Sequence, residues 1–195
     1  MVQATAASAK TLLRASLRGL RRTLAHETPD AAERAAALLP DERLAGAVVA
    51  AGYCRQGFEM DAFPVMGRLA EAGARLCLPA GDGEDVALAF RAFDFGDPLA
   101  PDAHGVPAPL PAADLLHPDL VVAPLLAFDR AGGRIGQGGG HYDRTIAALR
   151  ARGPVFVIGL AFAGQEVAQL PHEPHDQRLD AILTETAYIE VRKDP

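Results

Sequence analysis

Three short runs, Ala47 to Tyr53, Leu120 to Ala123 and Val155 to Leu160, contain no charged side chain. A strand that is apolar on both faces must be covered on both, which is the situation of a parallel sheet between helices and not of a sheet with one wet face. Segments with helical character separate these runs. Ala9 to His26 carries Leu13, Leu17, Leu20 and Leu24 at i, i+4, i+7 and i+11, with Ser8 placed to cap it. Thr28-Pro29-Asp30 has the order of a helix start, Thr28 as N-cap and Pro29 at the first helical position, with Asp30 to Glu33 as an alternative cap; that helix should end before Pro40. Further helices are expected from about Ala62 to Gly73 and from Tyr142 to Arg150. Further strands are expected over Arg75 to Leu78, ended by Pro79, and over Val86 to Phe93, Ala181 to Thr184 and Ala187 to Val191. Such alternation in a chain of 195 residues specifies one α/β domain over residues 1–195 with a largely parallel central sheet. Asp94 to Pro111, rich in proline and glycine and without periodicity, reads as a long ordered connection inside it.

The chemistry concentrates between Phe128 and Arg144, where six glycines fall within nine residues, Gly132 to Gly140, ahead of a helix. Glycine accepts positive φ and lets successive N–H groups line one concavity, and the following helix adds its free N–H groups and positive dipole end. That combination suits a phosphate. A flexible surface loop is the plainer alternative, but Arg134, Gln137, His141, Tyr142 and Asp143 crowd donors, acceptors and a possible metal ligand into the same turn. The spacing is not that of a dinucleotide fingerprint, because the third glycine would have to stand at His141; nor is it a P-loop, because no lysine lies in it.

These residues resemble the signature of the 5-formyltetrahydrofolate cyclo-ligase family, P-x-x-x-F-D-x-x-G-x-R-[LI]-G-x-G-x-G-Y-Y-D. Pro124, Phe128, Asp129, Gly133, Arg134, Ile135, Gly136, Gly138, Gly140, Tyr142 and Asp143 match it. Gln137 stands where Tyr or Arg is usual, and His141 replaces the first tyrosine. The resemblance implies a three-layer α/β/α fold of the CoA-transferase-like kind and an ATP- and Mg2+-dependent ring closure of a reduced folate. ATP would be held by Lys10, Arg14, Arg134, Ile135, Gly136, Gln137, Gly138, Gly139, Gly140, His141 and Tyr142. Arg134 and His141 would take the catalytic roles. In the loop Cys54 to Asp61, where Gly57, Glu59 and Asp61 match the family's G-[ST]-E-[IV]-[DE], Glu59 and Cys54 would meet the folate together with Gln137 and His141. Asp143 and Asp176 would hold the magnesium. Read without the resemblance, Glu59 is a solvent-exposed loop acid or a helix cap, and His141 is either a group titrating near neutrality or an aromatic-like packing substitute for tyrosine.

Other features are weighed against blander readings. Lys10, Arg14, Arg18 and Arg21 form a basic stripe beside the leucines of the first helix, and a solvated face is the expectation for Arg18, Arg21 and Arg22. His172 and His175, three apart on a proline-interrupted segment with no third ligand at zinc-like spacing, make a weak zinc signal. Ala108 replaces a glutamate of the family's F-G-[IV]-x-E-P, so that acid has no role here. A net charge of −6 argues against a nucleic-acid partner. The longest apolar runs fall short of the roughly 20 residues that span a bilayer, and no charged segment followed by an apolar core opens the chain. Cys54 and Cys77 read as buried free thiols, which suits the reducing cytoplasm. A monomer acting on small molecules is expected. Two other classes stay open: a different ATP-using or sugar-phosphate enzyme on a similar sheet, and a non-catalytic folate or nucleotide binding homologue.

Overall fold

The three apolar runs become the centre of one sheet. In the computed structural model, which describes residues 6–192 apart from 82, 84 and 85 and only the backbone of 6–10 and 12, β1 (Val49–Ala51), β7 (Leu120–Pro124) and β10 (Phe156–Leu160) lie side by side and parallel. β2 (Arg75–Ala80) and β11 (Ala181–Leu183) extend the parallel part to five strands. Antiparallel strands close both edges: β12 (Tyr188–Glu190) beside β11, and β3 (Ala89–Ala92) followed by β6 (Leu115–Leu116) beside β2. The full order is β12-β11-β10-β7-β1-β2-β3-β6. Alternate residues serve opposite faces, as the two-residue period of a strand requires. Ala50, Leu76, Leu120, Val122, Ile158 and Leu183 pack with α2 (Ala31–Ala37) and α4 (Phe63–Glu71). Ala123, Val157 and Ile182 pack with Ile146 of α5 (His141–Arg150) on the other face. Helix layers on both faces of the sheet make the fold three-layer α/β/α.

The chain leaves β1 toward β2 through α4, but leaves β7 toward β10 through α5 on the opposite side. The order therefore reverses between β1 and β7, and the loops at their carboxyl ends, after Ala51 and after Pro124, face one crevice. Such a reversal is where open α/β sheets hold ligands. The first helix, α1 (Ala6–Glu27), roofs this end: Leu17 packs on Leu126, Ala127 and Ile135, at a small ribbon of β8 (Ala127–Phe128) and β9 (Arg134–Ile135), and Leu24 packs against Gly164.

Several local expectations are corrected. Thr28 caps nothing at its own helix start; its hydroxyl donates back to the Leu24 carbonyl and closes the end of α1, and Asp30 is the N-cap of α2. Pro40 does not only end a helix but begins another, α3 (Asp41–Gly46). Pro79 does not stop β2. β1 pairs with β2 only as far as Cys77, so at Pro79 one flank carries no ladder and the missing N–H is not needed there. The connection from Asp94 to Pro111 contains a hairpin of β4 (Leu99–Pro101) and β5 (Pro107–Pro109). Its turn is made by Asp102, whose carboxylate accepts the N–H groups of Gly81, His104 and Val106. Asp102 is a turn-forming residue acting through its own loop, a signal that hydrophobic periodicity does not carry.

Candidate active site

A cavity of about 510 Å3 opens in the crevice, within the range of small-molecule sites. Cys54 and Glu59 from the loop after β1, the backbone and side chains from Arg134 to Asp143, Arg14 from α1 and Asp176 from the segment before β11 all line it. The structure thus brings together every site residue expected from the sequence except Lys10, whose side chain lies outside the described residues. His104, Arg21, Tyr53, Glu173 and His175 join the lining.

The glycine loop is held from outside. Arg14 Nε donates to the Gly136 carbonyl at 3.1 Å, and Arg18 donates through Nε to Gln137 Oε1 at 3.0 Å and through NH2 to the Gln137 carbonyl at 3.3 Å. Arg144 NH2 donates to the Gly139 carbonyl at 2.7 Å. With the carbonyls turned toward these guanidinium groups, none of the N–H groups from Gly136 to Gly140 donates to an acceptor among the described residues. Gly138 at φ +117° and Gly140 at φ +65° make the reversal into α5, in a region that side chains with a Cβ enter only under strain. A Cβ on Gly139 would come 2.6 Å from the His141 ring. The loop therefore presents open backbone donors beside a helix N-terminus, a geometry complementary to an anion. Beneath it, the buried Asp129 carboxylate accepts the amides of Ala131, Gly133 and Leu170 at 3.1, 2.9 and 2.9 Å.

Arg134 sits deeper than a surface cation, with its side chain 4% exposed. It donates to Asp143 Oδ1 at 3.0 Å and to the Gln177 carbonyl at 2.9 Å, and the Gln177 N–H donates to the same Asp143 oxygen at 2.9 Å. Burial pulls the guanidinium down from its ordinary value, and Asp143 and Asp176 oppose that pull. The two acids expected to share a cation thus face one arginine. Asp143 Oδ2 keeps no hydrogen bond among the described residues. Glu173, His175 and Asp176 bring potential ligand atoms within 4.8 Å of one another, so of the two histidines only His175 enters the grouping, with the two acids beside it. A site so rich in carboxylate oxygen fits a hard divalent cation such as Mg2+.

On the other side of the cavity, Glu59 is not a solvent-exposed acid. It is buried, its Oε1 lies 3.3 Å from Arg21 NH1, and its Oε2 accepts the Gln56 N–H at 2.9 Å. Arg21 was expected on a solvated helix face and is instead 5% exposed. The reason is the rotation of α1. Leu13 and Leu20 are 37% and 39% exposed, while Leu17 is buried, so the seam runs through Leu17, Arg21 and Leu24. Arg21 stands only about 40° round the helix from Leu17, inside the apolar stripe. Arg18 and Arg22 remain exposed, although Arg18 is tied to Gln137 and Arg22 lies 5.4 Å over the Phe58 ring. Tyr53 is buried and Tyr142 half-buried beside Glu59, and desolvation, reinforced by that carboxylate, pushes both phenols above their ordinary value and keeps them neutral. Cys54 is half-buried, not buried, and burial again raises its thiol. His104, at the tip of the β4–β5 hairpin, packs its ring 4.7 Å from that of His141 and brings the hairpin to the cavity wall. No helix among the described residues is long and apolar enough to cross a membrane.

The model of the 5-formyltetrahydrofolate cyclo-ligase family matches residues 6–185, nearly the whole chain and all of the elements that form the cavity. The chain belongs to the 5-formyltetrahydrofolate cyclo-ligase family. A 5-formyltetrahydrofolate cyclo-ligase of Mycolicibacterium smegmatis is 32% identical over 156 residues, covering 73% of this chain and 75% of that one. The Escherichia coli K12 cyclo-ligase is 33% identical over 136 residues, covering 65% and 71%. The solved Aquifex aeolicus 5,10-methenyltetrahydrofolate synthetase superposes with a TM-score of 0.77 at 25% identity, covering 95% of this chain and 94% of that chain. As a cyclo-ligase family member, the chain departs from the signature at Gln137 and His141, and both departures line the cavity.

Proposed function

We propose that the protein closes the ring of 5-formyltetrahydrofolate to 5,10-methenyltetrahydrofolate, using ATP with magnesium and releasing ADP and phosphate. The observation that carries this reading is the convergence of a buried carboxylate, a loop of open amides and a cluster of acids on one cavity. Glu59 accepts from the amide-like edge of the pterin, which presents N–H donors. Cys54, Gln137 and His141 complete the wall against the folate. The amides from Gly136 to Gly140 and the N-terminus of α5 receive the triphosphate, with Arg14 and Lys10 on the side of α1. Asp143 and Asp176 hold the magnesium, which neutralises phosphate charge when bound.

The reaction asks for placement more than for a covalent nucleophile on the protein. The N5-formyl oxygen attacks the γ-phosphorus, and the bond to ADP breaks. N10 then attacks the activated formyl carbon, and phosphate departs with the former formyl oxygen as the ring closes, the N10 proton passing to the leaving phosphate or to water. The backbone donors of the loop stabilise charge developing on the transferred group without rearranging during the step. Arg134 acts through Asp143, holding that carboxylate at the cavity wall. The test is an absorbance assay for methenyltetrahydrofolate with 5-formyltetrahydrofolate, ATP and Mg2+. Formation of the methenyl product that stops when ATP or Mg2+ is omitted supports the reading. Nucleotide binding without turnover, or ATP use only with another substrate, overturns it in favour of a binding homologue or a different ATP-using enzyme.

A further inference from the structure

Arg21 crosses the crevice beneath the cavity. Its NH1 reaches Glu59 Oε1 at 3.3 Å in the loop after β1 and donates to the Leu125 carbonyl at 3.2 Å in the segment after β7. Both partners are buried, Glu59 6% and Arg21 5% exposed, and the Arg21 Nε–H has no acceptor among the described residues. A buried ion pair with an unsatisfied donor is a poor device for stability, since desolvating the two charges offsets most of their attraction. Apolar residues at both positions would pack this seam at least as well. What the pair does supply is a fixed position for a buried carboxylate at the wall of the cavity. With Oε2 on the Gln56 N–H and Oε1 on Arg21, the plane of the Glu59 carboxylate is set before any ligand arrives. The bridge to Leu125 ties that plane to the root of the glycine loop.

We propose that Arg21 is a positioning residue for substrate recognition, holding the Glu59 carboxylate in the orientation that accepts the N–H edge of the folate ring. This rests on the ring-closing function proposed above. Arg21 acts through Glu59, so its loss should fall on folate binding and not on ATP. Arg21→Met, which keeps the length of the stem and removes the guanidinium, should raise KM for 5-formyltetrahydrofolate about tenfold or more and leave KM for ATP within about twofold. Arg21→Lys, which returns a cation, should recover part of the loss. In a Glu59→Gln background, Arg21→Met should add little, because the carboxylate it serves is gone.

The same assay on the unaltered protein separates the two ideas. No turnover by the unaltered protein would overturn the function itself. Turnover by the unaltered protein, with an Arg21→Met variant whose folate and ATP constants are both unchanged, shift together, or shift equally in the Glu59→Gln background, would overturn the role of Arg21 alone. Should Arg21→Met not fold, Arg21→Lys carries the test: a rise in KM for the folate without one for ATP supports the proposal, and unchanged or equally shifted constants contradict it.

Discussion

In the loop after β1 the polar groups offered to the cavity are side chains held below the surface, whereas in the loop after β7 they are backbone amides held in place by arginines and a helix start. Glu59 is fixed by a buried guanidinium and one amide. The glycine loop is shaped by Arg14, Arg18 and Arg144 on its carbonyls and by Asp129 below it. The difference follows from the ligands each would meet. A heterocycle edge is read by an oriented acceptor, and one carboxylate suffices. A phosphate chain accepts hydrogen bonds from many directions, and several amides in a concavity serve it better than one side chain. The two loops should therefore fail differently when altered: the first at single side chains, the second at its glycines and at the buried acid that holds its root.

The largest effect is expected at that acid. Asp129→Ala removes an acceptor from three buried or half-buried amides and should cost about 3 kcal/mol of stability by urea unfolding, with turnover lost as well. A cost under about 1 kcal/mol would mean that the loop is held elsewhere. Next, Gly138→Ala places a Cβ at φ +117° and should cost about 1 to 2 kcal/mol. It should also raise KM for ATP about tenfold while KM for 5-formyltetrahydrofolate stays within about twofold, the mirror image of Arg21→Met. Equal shifts in both constants would erase the distinction between the two loops.

Two smaller effects sharpen the same contrast. Cys54 lines the cavity beside Glu59, whereas Cys77 lies inside the sheet, where burial pushes its thiol up to about 12. A colorimetric thiol reagent should label at most one cysteine slowly in the native protein, with 5-formyltetrahydrofolate slowing it further, and the second only after unfolding. Labelling of both thiols at one rate would contradict this. Asp102 at the hairpin turn is pushed up by burial, but the N–H groups of Val106, Gly81 and His104 outweigh that and leave its carboxyl below the ordinary range. A carboxyl lowered on folding contributes stability that is present above its unfolded value and lost as pH falls through its folded value. Stability should thus decline on the acid side, and Asp102→Asn should flatten that decline by less than about 1 kcal/mol, since the half-buried carboxylate is still partly screened by solvent. Unfolding midpoints measured from neutral pH downward check it, and identical slopes in both proteins would contradict it.

Much of this fold is legible because three runs without charge can sit only in the middle of a covered sheet, and the glycines after Leu126 announce themselves by composition. What escapes is decided by tertiary contacts. The rotation of α1 is set by Leu126, Ile135 and Leu170 far along the chain, and the leucine spacing within the helix does not tell that Leu13 and Leu20 stay wet. The position of Arg21 between Leu17 and Leu24 is a signal that could have been used, since a cation inside an apolar stripe demands a partner. The hairpin around Asp102 is short and broken by prolines, so its order comes from side-chain acceptors and not from periodicity. Glu59 changes from loop acid to buried acceptor only once Arg21 is known to face it.

The central claim, that open amides in the loop after β7 receive the triphosphate, is tested most directly by following backbone amide resonances as Mg2+ and ATP are added. The N–H signals of Gly136, Gly138, Gly139 and Gly140 should shift on nucleotide binding while that of Gln56 stays in place, and 5-formyltetrahydrofolate alone should move Gln56 instead. Loop amides that remain unmoved in a protein that turns over ATP and folate would contradict the account.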